Sequence, residues 1–448
     1  MAIGDNMTET AEIPGRRELS PVVDPTKAAF FWLSAFFVVY CARPEDWIPG
    51  LGYLPCAKIT AILAMWSLFT VLGRTKRTFK DVPKEGKLLL LMIVLLFVGG
   101  FMSPISRSSA ILNAMAFSKV YVAWILTFLL ITSFDRLRRI IWIQAVSVVL
   151  ICVVSIIKGH NQPRLEGVLG GIYGNSNDLA FAVVLTLPFA LAFLLTSRNV
   201  FKKVLWALGM LAMMAALFLT ASRAGFIDLV IAGTVTLWHF GIKGKRPWLI
   251  AAVVLSSVLL MAVAGGKLQQ RFEALSGNDT TNESAYASYE QRMYGMGRAL
   301  EGIANYPVFG LGVLLFGPYG GWHEVHMTYL QIAVEGGIPA FIVFMMFFRS
   351  GFKNLRLMRK AKDLDEHTVL FVGALHASLI GFAVGASFAP EAYQFFPFFA
   401  VAFTSTLLQT LKERDVELGA AFTAPSKSRH FMEVYADHRT NGAVTPIR

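Results

Sequence analysis

Two imidazoles and a carboxylate fall within four residues at His323, Glu324 and His326, in the stretch GWHEVHMTYLQIAVEGGIP. Such residues bind divalent metals, move protons near neutral pH, or pack as ordinary polar side chains. A zinc site of the H-E-x-x-H kind has its histidines four residues apart on one helical face. Here they are three apart, and no His, Cys or Asp cluster supplies a third ligand. The spacing points away from a metal site, and no cofactor is expected. His326 suits proton transfer by its ordinary pKa, with His323 as a secondary contact. Three guanidiniums complete the set: Arg223 in LTASRAGF, Arg292 in YEQRMYGMGRALEGIANYP and Arg164 in QPRLEG. Planar guanidiniums grip phosphate oxygens in pairs of hydrogen bonds. A base beside a charge clamp suits a phosphorylated substrate.

The elements that must position these residues are apolar. Of 448 residues, 55% are hydrophobic and 16% charged, against roughly 25% charged in a soluble chain. Apolar runs recur from residue 27 to residue 411, each long enough to cross about 30 Å of hydrocarbon as a helix. The reading is an all-α polytopic membrane protein. About twelve transmembrane helices are expected, at 27–42, 57–73, 87–102, 114–133, 140–157, 179–196, 203–220, 224–241, 248–265, 327–348, 367–388 and 391–411. Residues 1–26 form a polar tail without the short apolar core of a cleaved signal. Residues 27–411 form the transmembrane domain, with a long loop at 266–326 between the ninth and tenth helices. Residues 412–448 form a polar tail of disordered composition. No internal repeat is evident.

Charge orients the spans. Roughly three quarters of the 41 Lys and Arg fall in the termini and the even-numbered loops, the pattern of a cytoplasmic side. Both termini are therefore expected in the cytoplasm, and the long loop outside. The net charge of +12 is mostly a topology signal, and no nucleic-acid partner is expected. Cys41 and Cys56 could meet outside the membrane. The chemistry faces outward, because the cytoplasmic loops are short.

On that outer side each candidate has a plain alternative. Arg292 falls at the first turn of an apolar helical stripe with Met296, Ala299 and Ile303, where it either snorkels or faces inward to an anion. Arg298 belongs to the opposite, solvated face. Arg223 sits in a short turn, either as an interfacial anchor or, with Ser222 and the amides of the next helix, as an anion site. Arg164 lies on a flexible stretch. Lys119 lies about one turn inside the fourth span, where it either snorkels or meets substrate. In GIYGNSNDLAFA, Asn177 or Asp178 is the expected helix cap, while Asn175 and Asn177 could also meet sugar hydroxyls. Glu335 lies nine residues beyond His326, about 13 Å along a helix that Gly336, Gly337 and Pro339 loosen.

GNSNDLA before a long apolar span, LTASRAGF between spans, YPVFGLG in the long loop and HMTYLQIAVEGGIPA entering the tenth span together resemble the O-antigen ligase and polymerase family, over roughly residues 160–410. The resemblance implies a GT-C-like fold in the bacterial inner membrane. It implies transfer of a glycan from a polyprenyl-diphosphate (undecaprenyl-type) donor to an acceptor hydroxyl on the periplasmic side, without metal and with inversion. Arg223, Arg292 and His326 fall on the family's functional positions, and Arg164, Lys119, Asn175, Asn177, Glu335 and His323 become substrate contacts. The family usually has asparagine after the histidine; here it is Met327. Implied partners are the lipid-linked donor, a lipid A–core or other glycan acceptor, and membrane lipids. Twelve spans favour ligation to lipid A–core over polymerisation of a lipid-linked glycan. A twelve-helix transporter is the rival from another class, but its long central loop would be cytoplasmic and follow the sixth span.

Overall fold

The computed structural model describes residues 24–48, 50–159, 164–167, 173–255, 258, 283–321, 325–361 and 364–423. His323, Glu324, both chain ends and much of the ninth apolar run lie outside the described residues.

The described residues form helices and no strand. The long ones are α1 (Lys27–Ala42), α2 (Cys56–Phe69), α3 (Lys84–Phe101), α4 (Arg107–Leu130), α5 (Phe134–Gly159), α6 (Ser176–Thr196), α7 (Val200–Leu219), α8 (Arg223–Leu237), α9 (Glu283–Asn305), α10 (Thr328–Lys360), α11 (Glu366–Gly385) and α12 (Phe395–Thr423). Helices are the expected solution, because a helix satisfies its backbone polar groups internally where water is absent. Seven of those described, α4 to α7, α8 with its continuation to Ile242, α10 and α11, are long and apolar enough to cross a membrane, while α1 and α2 are shorter apolar helices. The expected twelve spans are thus matched in position by eleven helices, but only these seven meet the length and composition of a span. α9 is the helix read in the long loop, and it ends two residues before Pro307. α12 continues to Thr423, beyond the expected end at 411.

Polar caps fix where the helices near the site begin. Asn175 caps α6, its Oδ1 accepting from the amides of Asn177 at 2.8 Å and Asp178 at 3.0 Å. The cap expected at Asn177 or Asp178 is therefore Asn175, whose extended backbone leaves its side chain free to reach forward. Ser222 caps α8 by accepting from the Gly225 amide at 3.1 Å. Phenylalanine fills the interior where α10, α11 and α12 meet: Phe348 stacks on Phe382 at 4.3 Å between centroids and lies 4.8 Å from Phe344. Such pairs add to the burial that their large side chains supply.

α10 is broken inside. Gly337 has φ 77° and ψ 168°, so the helical hydrogen bonds fail there. The preceding loop replaces them. The Leu311 amide donates to the Val334 carbonyl, that of Gly312 to the Glu335 carbonyl, and that of Ile338 to the Pro307 carbonyl, at 2.8–2.9 Å. A side chain on Gly337 would place its Cβ 2.3 Å from the Val308 carbonyl oxygen. The loop that runs from α9 is thus stitched into the kink.

The other end of the bundle is held by ion pairs. Arg77, 1% exposed, donates to the carbonyls of Phe128 and Ile131 at 2.9 and 2.7 Å and to Glu413 Oε1 at 2.8 Å. Arg136 pairs with Asp24, and Arg246 with Glu366. Cys41 is buried at the end of α1 and all three cysteines are free thiols, so the contemplated Cys41–Cys56 link is absent. Burial seals Cys41 into the α1 packing.

Candidate active site

The starts of α6, α8 and α10 and the 386–394 link converge at one rim of the bundle. Ser222 donates its hydroxyl to Asn177 Oδ1 at 2.8 Å, joining α8 to α6. Thr328, at the start of α10, donates to the Ala389 carbonyl at 2.6 Å and accepts from the Glu391 amide at 2.9 Å, joining α10 to the link. Glu391 is hydrogen-bonded to Asp178, closing the link onto α6. The turn before α8 is strapped from outside, where Arg164 Nε donates to the Thr220 carbonyl at 3.1 Å and the Leu165 amide to the Leu219 carbonyl at 2.9 Å. Ala221 takes a left-handed φ of 48° to make that turn.

Arg223 is the first residue of α8, half-buried directly after the Ser222 cap. Arg292 comes from α9, whose Ala299 side packs with Leu311, Phe316 and Val334. That packing turns the Arg292 side of α9 inward, as its place on the apolar stripe predicts. The Arg292 Nε is buried and has no hydrogen-bond partner among the described residues. Burial, then the neighbouring Arg223, holds the Arg292 guanidinium below the usual arginine range. Two half-buried guanidiniums close enough to repel each other, one with an unmet donor, form a place where an anion is favoured. Arg298, on the opposite face, pairs with Glu301, donates to the Tyr319 carbonyl at 3.1 Å and lies 4.6 Å from the Tyr319 ring centroid. It clamps the loop rather than standing free in solvent.

His326 lies two residues before α10, half-buried, in an extended stretch that Thr328 anchors. Glu335 is structural in its contacts: 3% exposed, its Oε1 accepts from the Phe316 amide at 3.2 Å and so pins the loop to α10. Asn175 and Asn177 are engaged in the cap and the Ser222 tether, at the rim itself. Lys119 is not one turn inside its helix. α4 begins at Arg107, seven residues before the expected start, so Lys119 lies twelve residues in, about 18 Å along the helix, with an exposed side chain. Phe117, two residues earlier, packs on Tyr393 of the 386–394 link at 5.1 Å between ring centroids, while the Lys119 side chain makes no ion pair or hydrogen bond with the rim among the described residues. His323 lies outside the described residues.

Two buried carboxyl groups near the rim were missed. Asp228, one turn into α8, is 1% exposed, and neither carboxylate oxygen has a hydrogen-bond partner among the described residues. It faces α11, where a Cβ on Gly385 would stand 2.7 Å from its Oδ2. An acidic residue within an apolar run, as in RAGFID, was the available signal. Glu391 is 4% exposed, and its pairing with Asp178 joins segments more than two hundred residues apart, which no local pattern reveals. No group of three or more His, Cys, Asp or Glu suited to a metal occurs among the described residues.

Residues 208–345 match the family model described as O-Antigen ligase. The matched region runs from α7 through Arg223, Arg292 and His326 to the first half of α10. No curated protein matches the chain.

Proposed function

We propose, on the premise that this multi-pass membrane protein is of the O-antigen ligase/polymerase type that the match over residues 208–345 supports, that it moves a glycan from a polyprenyl-diphosphate carrier to an acceptor hydroxyl at the periplasmic face. The favoured acceptor is lipid A–core. The observation that supports the reading is that Arg223 lies near enough to Arg292 to disfavour its charge, and that the buried Arg292 Nε has no hydrogen-bond partner among the described residues.

The acceptor oxygen attacks the anomeric carbon from the face opposite the diphosphate. The new glycosidic C–O bond forms as the bond to the diphosphate oxygen breaks, which inverts the centre. The two guanidiniums take up the charge that grows on the leaving diphosphate. His326 accepts the hydroxyl proton. The diphosphate is already a good leaving group, so charge stabilisation and one base suffice, and the reaction needs no metal.

The test uses purified protein in lipid nanodiscs with a polyprenyl-diphosphate oligosaccharide and lipid A–core, in the presence of EDTA, with products read by mass spectrometry. Glycosylated lipid A–core is expected. Lengthened lipid-linked glycan instead would mean polymerase. Arg223→Lys keeps the charge but replaces a planar fork with a point charge, and should lower transfer at least tenfold. Transfer within about threefold of wild type would remove the diphosphate-binding role.

A further inference from the structure

A groove of about 1160 Å³ runs along α10, bordered by α3, α11 and α12, and glycan transfer as proposed makes no use of it. Its wall is apolar along Phe341, Phe344, Met345, Phe348 and Phe352. Toward the end away from the candidate active site it turns cationic. Arg349, Lys353, Arg356 and Lys360 line it at steps of four, three and four residues, a single face of α10. Lys84 at the start of α3 and Lys412 on α12 approach from two other helices. All six are exposed, and no ion pair involves any of them among the described residues. The floor between them is polar and buried. Asn354 donates to Glu85 Oε1 at 3.2 Å and to Ser405 Oγ at 3.3 Å, and these three side chains are 6%, 5% and 3% exposed.

Basic residues at one end of a membrane protein ordinarily report topology and nothing more. Here six cations from three helices close on one apolar groove, around a floor able to exchange hydrogen bonds with hydroxyls. The groove's one lining carboxylate, Glu85, is bound to Asn354 rather than to any of the six among the described residues. We propose that this groove binds phosphatidylglycerol from the membrane leaflet at that end. The acyl chains lie along the Phe and Met wall, where the flexible thioethers adapt to an irregular chain. The phosphate meets Arg349, Lys353 and Arg356, a charge-assisted contact strengthened where water is partly excluded. The glycerol hydroxyls reach the Glu85–Asn354–Ser405 floor. A choline headgroup offers no hydroxyl and brings a cation toward six others.

The full-length protein, delipidated in detergent, would be given phosphatidylglycerol, phosphatidylcholine or phosphatidic acid of matched acyl chains, and bound lipid counted by native mass spectrometry. Phosphatidylglycerol should be retained at least tenfold more than either, and free glycerol 3-phosphate should not displace it, since the chains hold it in the groove. Arg349→Gln/Lys353→Gln/Arg356→Gln should lose at least tenfold in retention. Arg74→Gln/Lys202→Gln/Lys203→Gln removes the same charge outside the groove and should retain wild-type binding. If the groove triple variant does not elute as wild type, exposed Lys353→Gln alone should still show a measurable loss. Equal retention of the three lipids, displacement by glycerol 3-phosphate, or an equal loss in both triple variants would overturn the proposal. An equal loss would mean that diffuse charge, and not this groove, attracts the lipid.

Discussion

At the scale of single residues, His326 and Glu391 set two different tests. Removing a general base typically costs about 10²–10⁴ in rate, so His326→Ala is expected to fall in that range in single-turnover transfer while still binding donor lipid. His326→Gln can donate a hydrogen bond but is no base near neutral pH; wild-type rates with an unchanged pH profile from pH 5.5 to 8.5 would exclude His326 as the base. Glu391 predicts a pH effect on stability instead. Burial, then Asp178, raises its carboxyl well above the usual carboxylate range. The folded chain therefore keeps a proton that the unfolded chain releases above about pH 4.3. Stability falls as pH rises between those two values, because the unfolded state binds fewer protons there. Glu391→Gln keeps a donor for Asp178 and has no proton to lose. Its thermal midpoint at pH 8 should equal or exceed wild type, and its pH dependence should flatten. A midpoint several degrees lower at every pH from 5 to 8 would count against a shared proton.

At the scale of elements, the broken α10 is the piece on which the rim depends. The carbonyls of Val334 and Glu335 are taken by amides of the 311–312 loop, and Glu335 Oε1 holds the Phe316 amide. Gly337 permits this through its left-handed φ, and Val308 leaves no room for a Cβ. A strained left-handed residue costs on the order of 1–3 kcal/mol, before the clash is counted. Gly337→Ala should therefore lower the thermal midpoint and the yield of monodisperse protein, and any protein recovered should transfer poorly, since the loop and the His326 stretch shift together. An unchanged midpoint would mean that the kink is not needed for folding.

At the scale of the molecule, the two ends differ in kind. One end is a hydrogen-bonded rim with two half-buried guanidiniums and buried acids. The other is locked by Arg77, Arg136 and Arg246 with their carboxylates. The charge asymmetry of the loops predicts that the first end faces outward. Tyr294→Cys, on the exposed face of α9, and Lys245→Cys, in the exposed turn after α8, test this in intact cells. An impermeant thiol reagent should label Cys at 294 before lysis and Cys at 245 only after it. The reverse pattern would invert the topology and place the candidate active site in the cytoplasm.

Hydropathy alone placed eleven helices, because an apolar run in lipid favours a helix. Several run six to twelve residues beyond the expected bounds, as α4, α5, α10 and α12 do, because their polar ends carry no hydropathy signal. The α9 stripe was equally legible, since a period near 3.6 residues marks which side packs, and Ala299 is fully buried where that stripe places it. The resemblance also picked out the segment that the family match covers. Other features lay beyond local sequence. The position of Lys119 depended on where α4 begins, and a hydropathy window passes over a polar first turn such as Arg107–Ser109. The Asp178–Glu391 contact, the Arg77 clamp and the gathering of cations on one groove join residues far apart in the chain. Their energies come from burial and from neighbours, and neither exists until the helices have packed.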